Sequence, residues 1–183
     1  MRRYEAADAA DIFELARQDR ALLIREFAQL AALQKLQDAQ AFVVQKREQW
    51  ESAKTFCYGI WQKQAREQVG QIQVKNIAWE IPSAELGYFI GAAWYRQGYA
   101  SESIHAILRL AFRELGFHRI FVRILPSNQA SLALAKKLGF QQEGLQRNAF
   151  RCGLGELHDV RFLSLTPEDH DRRVRRPKGH SAK

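Results

Sequence analysis

Residues 96–116 read Arg-Gln-Gly-Tyr-Ala-Ser-Glu-Ser-Ile-His-Ala-Ile-Leu-Arg-Leu-Ala-Phe-Arg-Glu-Leu-Gly. In this stretch Ile104, Ile107, Leu108, Ala111, Phe112 and Leu115 recur at helical spacing. A period of 3.6 puts these positions on one face, so the pattern predicts an amphipathic helix with one buried stripe. Gly116 suits the left-handed residue that stops such a helix, and Phe117 the apolar contact beyond it. Upstream, a strand ending at Ile90 runs through Gly91 to Gly98 into the helix start. A helix N-terminus leaves N–H groups unpaired and carries partial positive charge, so this junction suits a phosphate. Gly98 permits close backbone approach, and Arg96 adds a formal charge. Neither the Gly-Lys-Ser/Thr of a P-loop nor the three spaced glycines of a dinucleotide site is present. Taken alone, the junction is equally an ordinary loop.

Working outward, residues 55–61 are aromatic and β-prone, and residues 68–79 alternate through Val69, Ile72, Val74 and Ile77. Glu85 to Ile90 reads as a third strand. Beyond the helix, 118–125 carries Ile120, Val122 and Ile124 on one face, and Asn128 to Leu138 reads as a second helix ended by Gly139 and Phe140. Two closing strands, about 147–153 and 157–165, are joined by Gly153 to Gly155. The first half is helical in character. Residues 8–19 form a helix that Asp8 or Asp11 caps, 20–36 helix and loop, and 38–54 a further helix. These segments either line a substrate entrance or simply pack.

The chain has 183 residues, 46% of them hydrophobic and 26% charged, which suits one globular domain with a core and excludes disorder throughout. Lys and Arg total 28 against 20 acids, and the net charge of +8 favours anionic partners such as nucleic acid or phosphorylated cofactors. Cys57 and Cys152 form neither a disulfide framework nor a zinc spacing. The N-terminus lacks the apolar core of a signal peptide, and no apolar run is long enough to span a bilayer, so the cytoplasm is the expected compartment. The domain is expected to cover 1–166. Residues 167–183 form a tail whose part from 168 on holds six positive and three negative charges and few apolar groups, and it is expected to be disordered.

The order of these elements carries a resemblance. Glu-Leu-Gly-Tyr-Phe-Ile (85–90), Arg-Gln-Gly-Tyr-Ala (96–100), Pro-Ser-Asn-Gln-Ala-Ser (126–131) and Lys-Lys-Leu-Gly-Phe (136–140) resemble the central motifs of the GNAT superfamily of N-acyltransferases, in order and at its spacing. His158-Asp159-Val160 is similar to the branch that acetylates the N-termini of ribosomal proteins. The resemblance covers about residues 1–165. It implies an α/β fold: a mixed, mostly antiparallel sheet, splayed in the middle and flanked by helices.

The resemblance also implies acetyl-CoA as co-substrate. Its pyrophosphate is expected on the backbone amides of Arg96, Gln97, Gly98, Tyr99, Ala100 and Ser101. Its arm is expected on the main chain of Tyr88, Phe89 and Ile90, with the side chain of Asn128 bonding the arm. Two positions depart from the family pattern: Tyr95 replaces a Gln or Arg, and Ala135 replaces a Tyr that protonates the leaving thiolate. The ribosomal-protein branch shares the second departure, and there Ser131 is the implied acid. The alternative reading of Asn128 is a helix cap, and that of Ser131 a surface serine bonding locally. Glu85 is the first choice of base, ahead of Glu102, Glu143, Glu156 and His158. Cys152 is a poor nucleophile candidate, with no partner identifiable in sequence. The implied activity is direct acetyl transfer to an amine, foremost a ribosomal protein's N-terminal α-amine. The rival readings are a small-molecule acetylase and a non-catalytic RNA- or ribosome-binding module.

Overall fold

A computed structural model describes residues 1–175. A two-residue strand, β1 (Arg2–Arg3), leads into four helices: α1 (Ala9–Gln18), α2 (Arg20–Glu26), α3 (Ala28–Ala31) and α4 (Leu36–Glu51). Three strands follow, β2 (Phe56–Trp61), β3 (Gln68–Ala78) and β4 (Ser83–Ile90). Next come α5 (Tyr99–Arg113), β5 (Arg119–Ile124) and α6 (Gln129–Leu138). The hairpin β6 (Gln141–Arg151) and β7 (Leu157–Leu165) and a last helix, α7 (Pro167–Arg175), complete the described chain. The sheet runs β1-β2-β3-β4-β5-β7-β6, and only the β4–β5 pair is parallel. The expected fold class therefore stands.

Two cores sandwich the sheet. The stripe on α5 is buried as its spacing requires: Ile104, Ile107, Leu108 and Ala111 are at most 2% exposed. They meet Leu86 and Ile90 of β4, the inward residues of β5, and Leu132, Ala135 and Leu138 of α6. Each buried Ile or Leu contributes roughly 1.5–3 kcal/mol. On the opposite face, Ile12, Leu15, Leu23, Leu30, Phe42 and Val43 pack from α1–α4 around Phe89 and Cys57. The two Leu-Gly-Phe sequences work alike. Gly116 and Gly139 adopt φ of +69° and +96°, and the phenylalanines beyond them are buried. Phe117 and Phe140 return their N–H groups to Ala111 and Ala135.

Several boundaries differ from the sequence reading. β6 begins at Gln141 rather than near 147, because register shifts at Gln142/Gly144 and Gln146/Phe150 break the alternation by which a strand is read. Asn148, at φ +50°, donates its N–H to Asp159 there. Asp8 does not cap α1. Its carboxylate accepts both guanidinium nitrogens of Arg2 at 2.7 Å and the N–H of Glu5, tying β1 to the helices.

The largest difference lies at the C-terminus. The expected disorder is replaced over 167–175 by α7, and residues 176–183 lie outside the described residues. Thr166 and Asp169 cap this helix reciprocally, each side chain accepting the other's N–H, and Pro167 occupies the first helical position. Arg113 of α5 reaches Asp171 at 2.8 Å, and the Phe112 and His170 rings lie 5.6 Å apart. The ion pair is exposed and worth at most about 1 kcal/mol. Ending the chain at Thr166 is therefore expected to cost about 1 kcal/mol, which is ~2–4 °C in Tm for a domain of this size. Calorimetry giving an unchanged Tm would contradict the docking of α7.

Candidate active site

The phosphate-type loop begins where β4 ends. Gly91 donates to Val69 O at 2.8 Å, and Asp19, just past α1, accepts the N–H of Ala92 at 2.9 Å. A short turn over Ala92–Trp94 follows, and the Trp94 and Tyr99 rings meet edge to face at 5.8 Å. Arg96 and Gly98 then both take positive φ, +61° and +90°. Such turns point successive N–H groups to one side. The first backbone bond of α5 runs from Glu102 N–H to Gly98 O. Among the described residues, no acceptor takes the N–H of Arg96, Gln97, Gly98, Tyr99, Ala100 or Ser101. These are the six residues read as a phosphate cradle. A Cβ on Gly98 would have nothing within 4 Å, so the loop is open on that side.

A cleft opens beside the loop. β4 and β5 pair only over Ser83↔Arg119, Ala84↔Ile120 and Glu85↔Phe121, and then separate. The Gly91–Val69 bond sets the phase of the β3–β4 ladder. Gly87 and Phe89 turn their main-chain groups toward β3, and Leu86, Tyr88 and Ile90 turn theirs away from it, Leu86 into the last β4–β5 bridge at Glu85↔Phe121 and Tyr88 and Ile90 to the open side. Of the three residues expected on the cofactor arm, Phe89 thus spends its main chain on Gln71. Its side chain packs in the second core, 5.8 Å from Phe27.

Across the cleft stands the start of α6. Asn128 accepts the N–H of Ser131 at 3.0 Å through Oδ1, so it does cap the helix. Its Nδ2 donates to Glu26 Oε1 at 2.8 Å. The Tyr88 hydroxyl donates to Ser131 Oγ at 3.2 Å, and burial pushes the Tyr88 phenol above its ordinary range. Ser131 therefore has a partner on the opposite wall rather than only a local backbone bond. Ala135, where the family pattern has a Tyr, is buried in the first core.

The acids behave differently from one another. Glu85 lines the cleft floor at 5% exposure. Its Oε2 accepts from Asn76 at 2.6 Å and Arg123 at 3.0 Å, while Lys75 Nζ lies 3.5 Å from Oε1. Three donors, two of them cationic, thus surround the Glu85 carboxylate. Glu143 pairs with Arg119, and Glu102 is exposed on the first turn of α5. Glu156 and His158 sit at the β6–β7 hairpin, with their ligand atoms and Cys152 Sγ all within 4.8 Å of one another. Cys152 thus has neighbours that sequence did not reveal, but none of the three lines the cleft.

Sequence reasoning missed Glu26. It ends α2 and lies 102 positions before its partner Asn128. Two contacts fix its place. Phe27 packs on Phe89, and Gly153 donates to Ile24 O at 2.7 Å. A Cβ at Gly153 would lie 2.6 Å from that oxygen, so only glycine lets the hairpin approach α2. Burial raises the Glu26 carboxyl above its ordinary value, partly offset by the Asn128 bond. Tyr95, the other departure from the family pattern, is raised by burial and by the charges of Asp19 and Glu26.

Among the described residues no helix is long and apolar enough to cross a membrane. Residues 1–141 match the family model described as an acetyltransferase (GNAT) domain. The chain is 32% identical over 113 residues to the uncharacterized N-acetyltransferase p20 of Bacillus licheniformis, covering 62% of this chain and 63% of that one. It is 29% identical over 115 residues to the [ribosomal protein uS5]-alanine N-acetyltransferase of Escherichia coli strain K12, covering 62% and 59%. The match thus spans about three fifths of the length of these relatives. A ribosomal L7/L12 α-N-protein acetyltransferase solved with coenzyme A superposes with a TM-score of 0.84 at 21% identity, over 93% of this chain and 94% of that one. With a family model matched over most of its length, and with the loop, cleft and helix start in the places its motifs require, the chain belongs to the GNAT acetyltransferase family.

Proposed function

We propose that this protein transfers the acetyl group of acetyl-CoA directly to the N-terminal α-amine of a protein, with a ribosomal protein as the foremost acceptor. The observation that carries the reading is a pair of unspent main-chain donor sets, one on either side of the turn whose own N–H groups at Gly91, Ala92, Trp94 and Tyr95 are bonded. Six loop amides, from Arg96 to Ser101, form the first set, and the open edge of β4 at Ile90 and Tyr88 the second. A pyrophosphate fits the first group by charge and hydrogen bonding. An amide-bearing arm fits the second as an added strand. In this reading Tyr88 and Ile90, rather than Phe89, offer main-chain groups to the arm and to the thioester oxygen. Asn128 serves by holding the start of α6.

Ser131 is the proton donor to the departing thiolate, with the Tyr88 hydroxyl behind it to replace that proton. Glu85, with Lys75 and Arg123, forms a charged floor under the acceptor. The relatives named above support an α-amine acceptor, and so does proton arithmetic. An α-amine has a pKa of about 7.7–8.0 and a lysine about 10.4, so near neutrality the free amine costs roughly 1 kcal/mol in the first case and about 4.6 kcal/mol in the second. A cleft with a single uncompensated carboxylate meets the smaller demand.

Gly98→Asp is expected to weaken acetyl-CoA binding at least tenfold by calorimetry, because it sets a carboxylate against the phosphates. The left-handed backbone alone costs a non-glycine residue about 1–2 kcal/mol, so Gly98→Ala is expected to lose less affinity. Unchanged affinity in Gly98→Asp would remove the phosphate assignment.

Peptides with a free N-terminal Ser or Ala are expected to be acetylated in preference to the same peptides blocked and carrying an internal Lys. Ser131→Ala is expected to lower kcat about 10²-fold, the lower range for a general acid, with little change in acetyl-CoA affinity. Faster turnover of the blocked Lys peptide or of a polyamine would overturn the acceptor class.

A further inference from the structure

We propose that Glu26 binds the ammonium of the acceptor in the cleft and takes its proton, and that Asn128 holds this base and the Ser131 acid in one frame. The proposal rests on the acyltransferase reading above and names the group that receives the amine.

Four observations meet at this residue. Glu26 lines the same cleft as Ser131 and Tyr88. Its Oε1 is fixed by Asn128 Nδ2 at 2.8 Å, and the Oδ1 of that carboxamide takes the N–H of Ser131 at 3.0 Å. One side chain therefore sets the distance between the proton acceptor and the proton donor. Glu26 Oε2 accepts from no described residue, and no cation among the described residues lies within ion-pair distance of the carboxylate. Glu85, on the same cleft, has both oxygens engaged. An arriving ammonium thus meets a compensated carboxylate at Glu85 and an uncompensated one at Glu26.

The surroundings suit that task. Tyr88 from β4 lines the same cleft, and its phenol is pushed up by burial, as is that of Tyr95 from the loop. Lys75, Glu85 and Arg123 line the same cleft from β3, β4 and β5, and Arg25 precedes Glu26 on α2. Cys152, Glu156 and His158 belong to the hairpin packed on Ile24 and cluster with one another. Burial raises the Glu26 carboxyl, which brings its basicity closer to that of an α-amine.

The protons balance. Glu26 takes one proton from the ammonium before attack. The nitrogen then bonds to the acetyl carbon as the carbon–sulfur bond breaks. The second proton leaves that nitrogen for solvent, and the thiolate receives one from Ser131, whose hydroxyl is restored through Tyr88 by a proton from solvent. The products are an amide, the free thiol and one proton, which Glu26 releases to solvent.

The test is the pH profile of Glu26→Gln, which keeps the shape and the acceptor for Asn128 but has no carboxylate. A free-N-terminus peptide, its blocked Lys counterpart and a polyamine are compared, and whichever the parent turns over fastest is the reference. Below the pKa of that amine, kcat/KM is expected to fall about 10²-fold. The deficit is expected to shrink as pH rises past that pKa, where the amine deprotonates unaided. Acetyl-CoA affinity and Tm are expected to match the parent. In Glu26→Ala, formate is expected to restore turnover. A parent preference for lysine or polyamine would sink the α-amine reading, while Glu26 would stand if its variant still showed the narrowing deficit. No loss, a loss constant with pH, or a folded Glu26→Ala variant that formate does not restore overturns the role of Glu26.

Discussion

The parallel contact between β4 and β5 is only three residues long, and the site depends on where it stops. Strands that kept pairing would spend their facing main-chain groups on each other. Beyond Glu85 and Phe121 they part, while β5 stays paired on its other edge with β7 from Ile120 to Ile124. Backbone N–H and C=O groups left in a cleft require partners. At Tyr88 and Ile90 the fold leaves such groups facing open space, next to a loop whose amides are also unspent. The hydrophobic layers on both faces hold this gap open: α5 and α6 on one side, α1 to α4 on the other.

The gap also brings together charged groups from distant parts of the chain. Glu85 and Glu26 are both acids on one cleft, yet their environments diverge. Lys75, Arg123 and Asn76 surround the first, and burial with a single amide partner governs the second. Two like groups placed in unlike surroundings can do different work. The carboxamide of Asn128 links the second acid to the helix start that carries Ser131. Capping and site assembly are therefore the same interaction, and the two readings of Asn128 do not exclude each other.

Much of the fold was legible because it rests on local rules. The α5 stripe follows a 3.6-residue period, Gly139 and Phe140 use one local stop, and β2 to β4 are β-prone and bounded by turns. The loop over 96–101 was legible for the same reason: its unspent amides are contiguous in sequence. Glu26 was not, since its meaning comes from a partner 102 positions away and from a glycine contact that no periodicity encodes. The setting of Glu85 was not legible either, because its three donors come from β3 and β5, which a single strand does not reveal. The bulges hid the first half of β6. The helix α7 was legible in principle: Thr166-Pro167-Glu168-Asp169 is a capping box with proline at the first turn, outweighed in the reading by the charge of the residues after it.

The central claim is that the open edge of β4 and the loop amides form one seat for acetyl-CoA. Amide-resolved hydrogen exchange by NMR, with and without coenzyme A, tests it most directly. Without coenzyme A, the amides of Tyr88, Ile90 and Arg96 to Ser101 should exchange fast, while those of Gly87 and Phe89 are already protected by β3. Adding coenzyme A should slow the first set together and leave the second unchanged. Protection of Tyr88 and Ile90 before coenzyme A is added, or no change at these positions at saturation, would contradict the account.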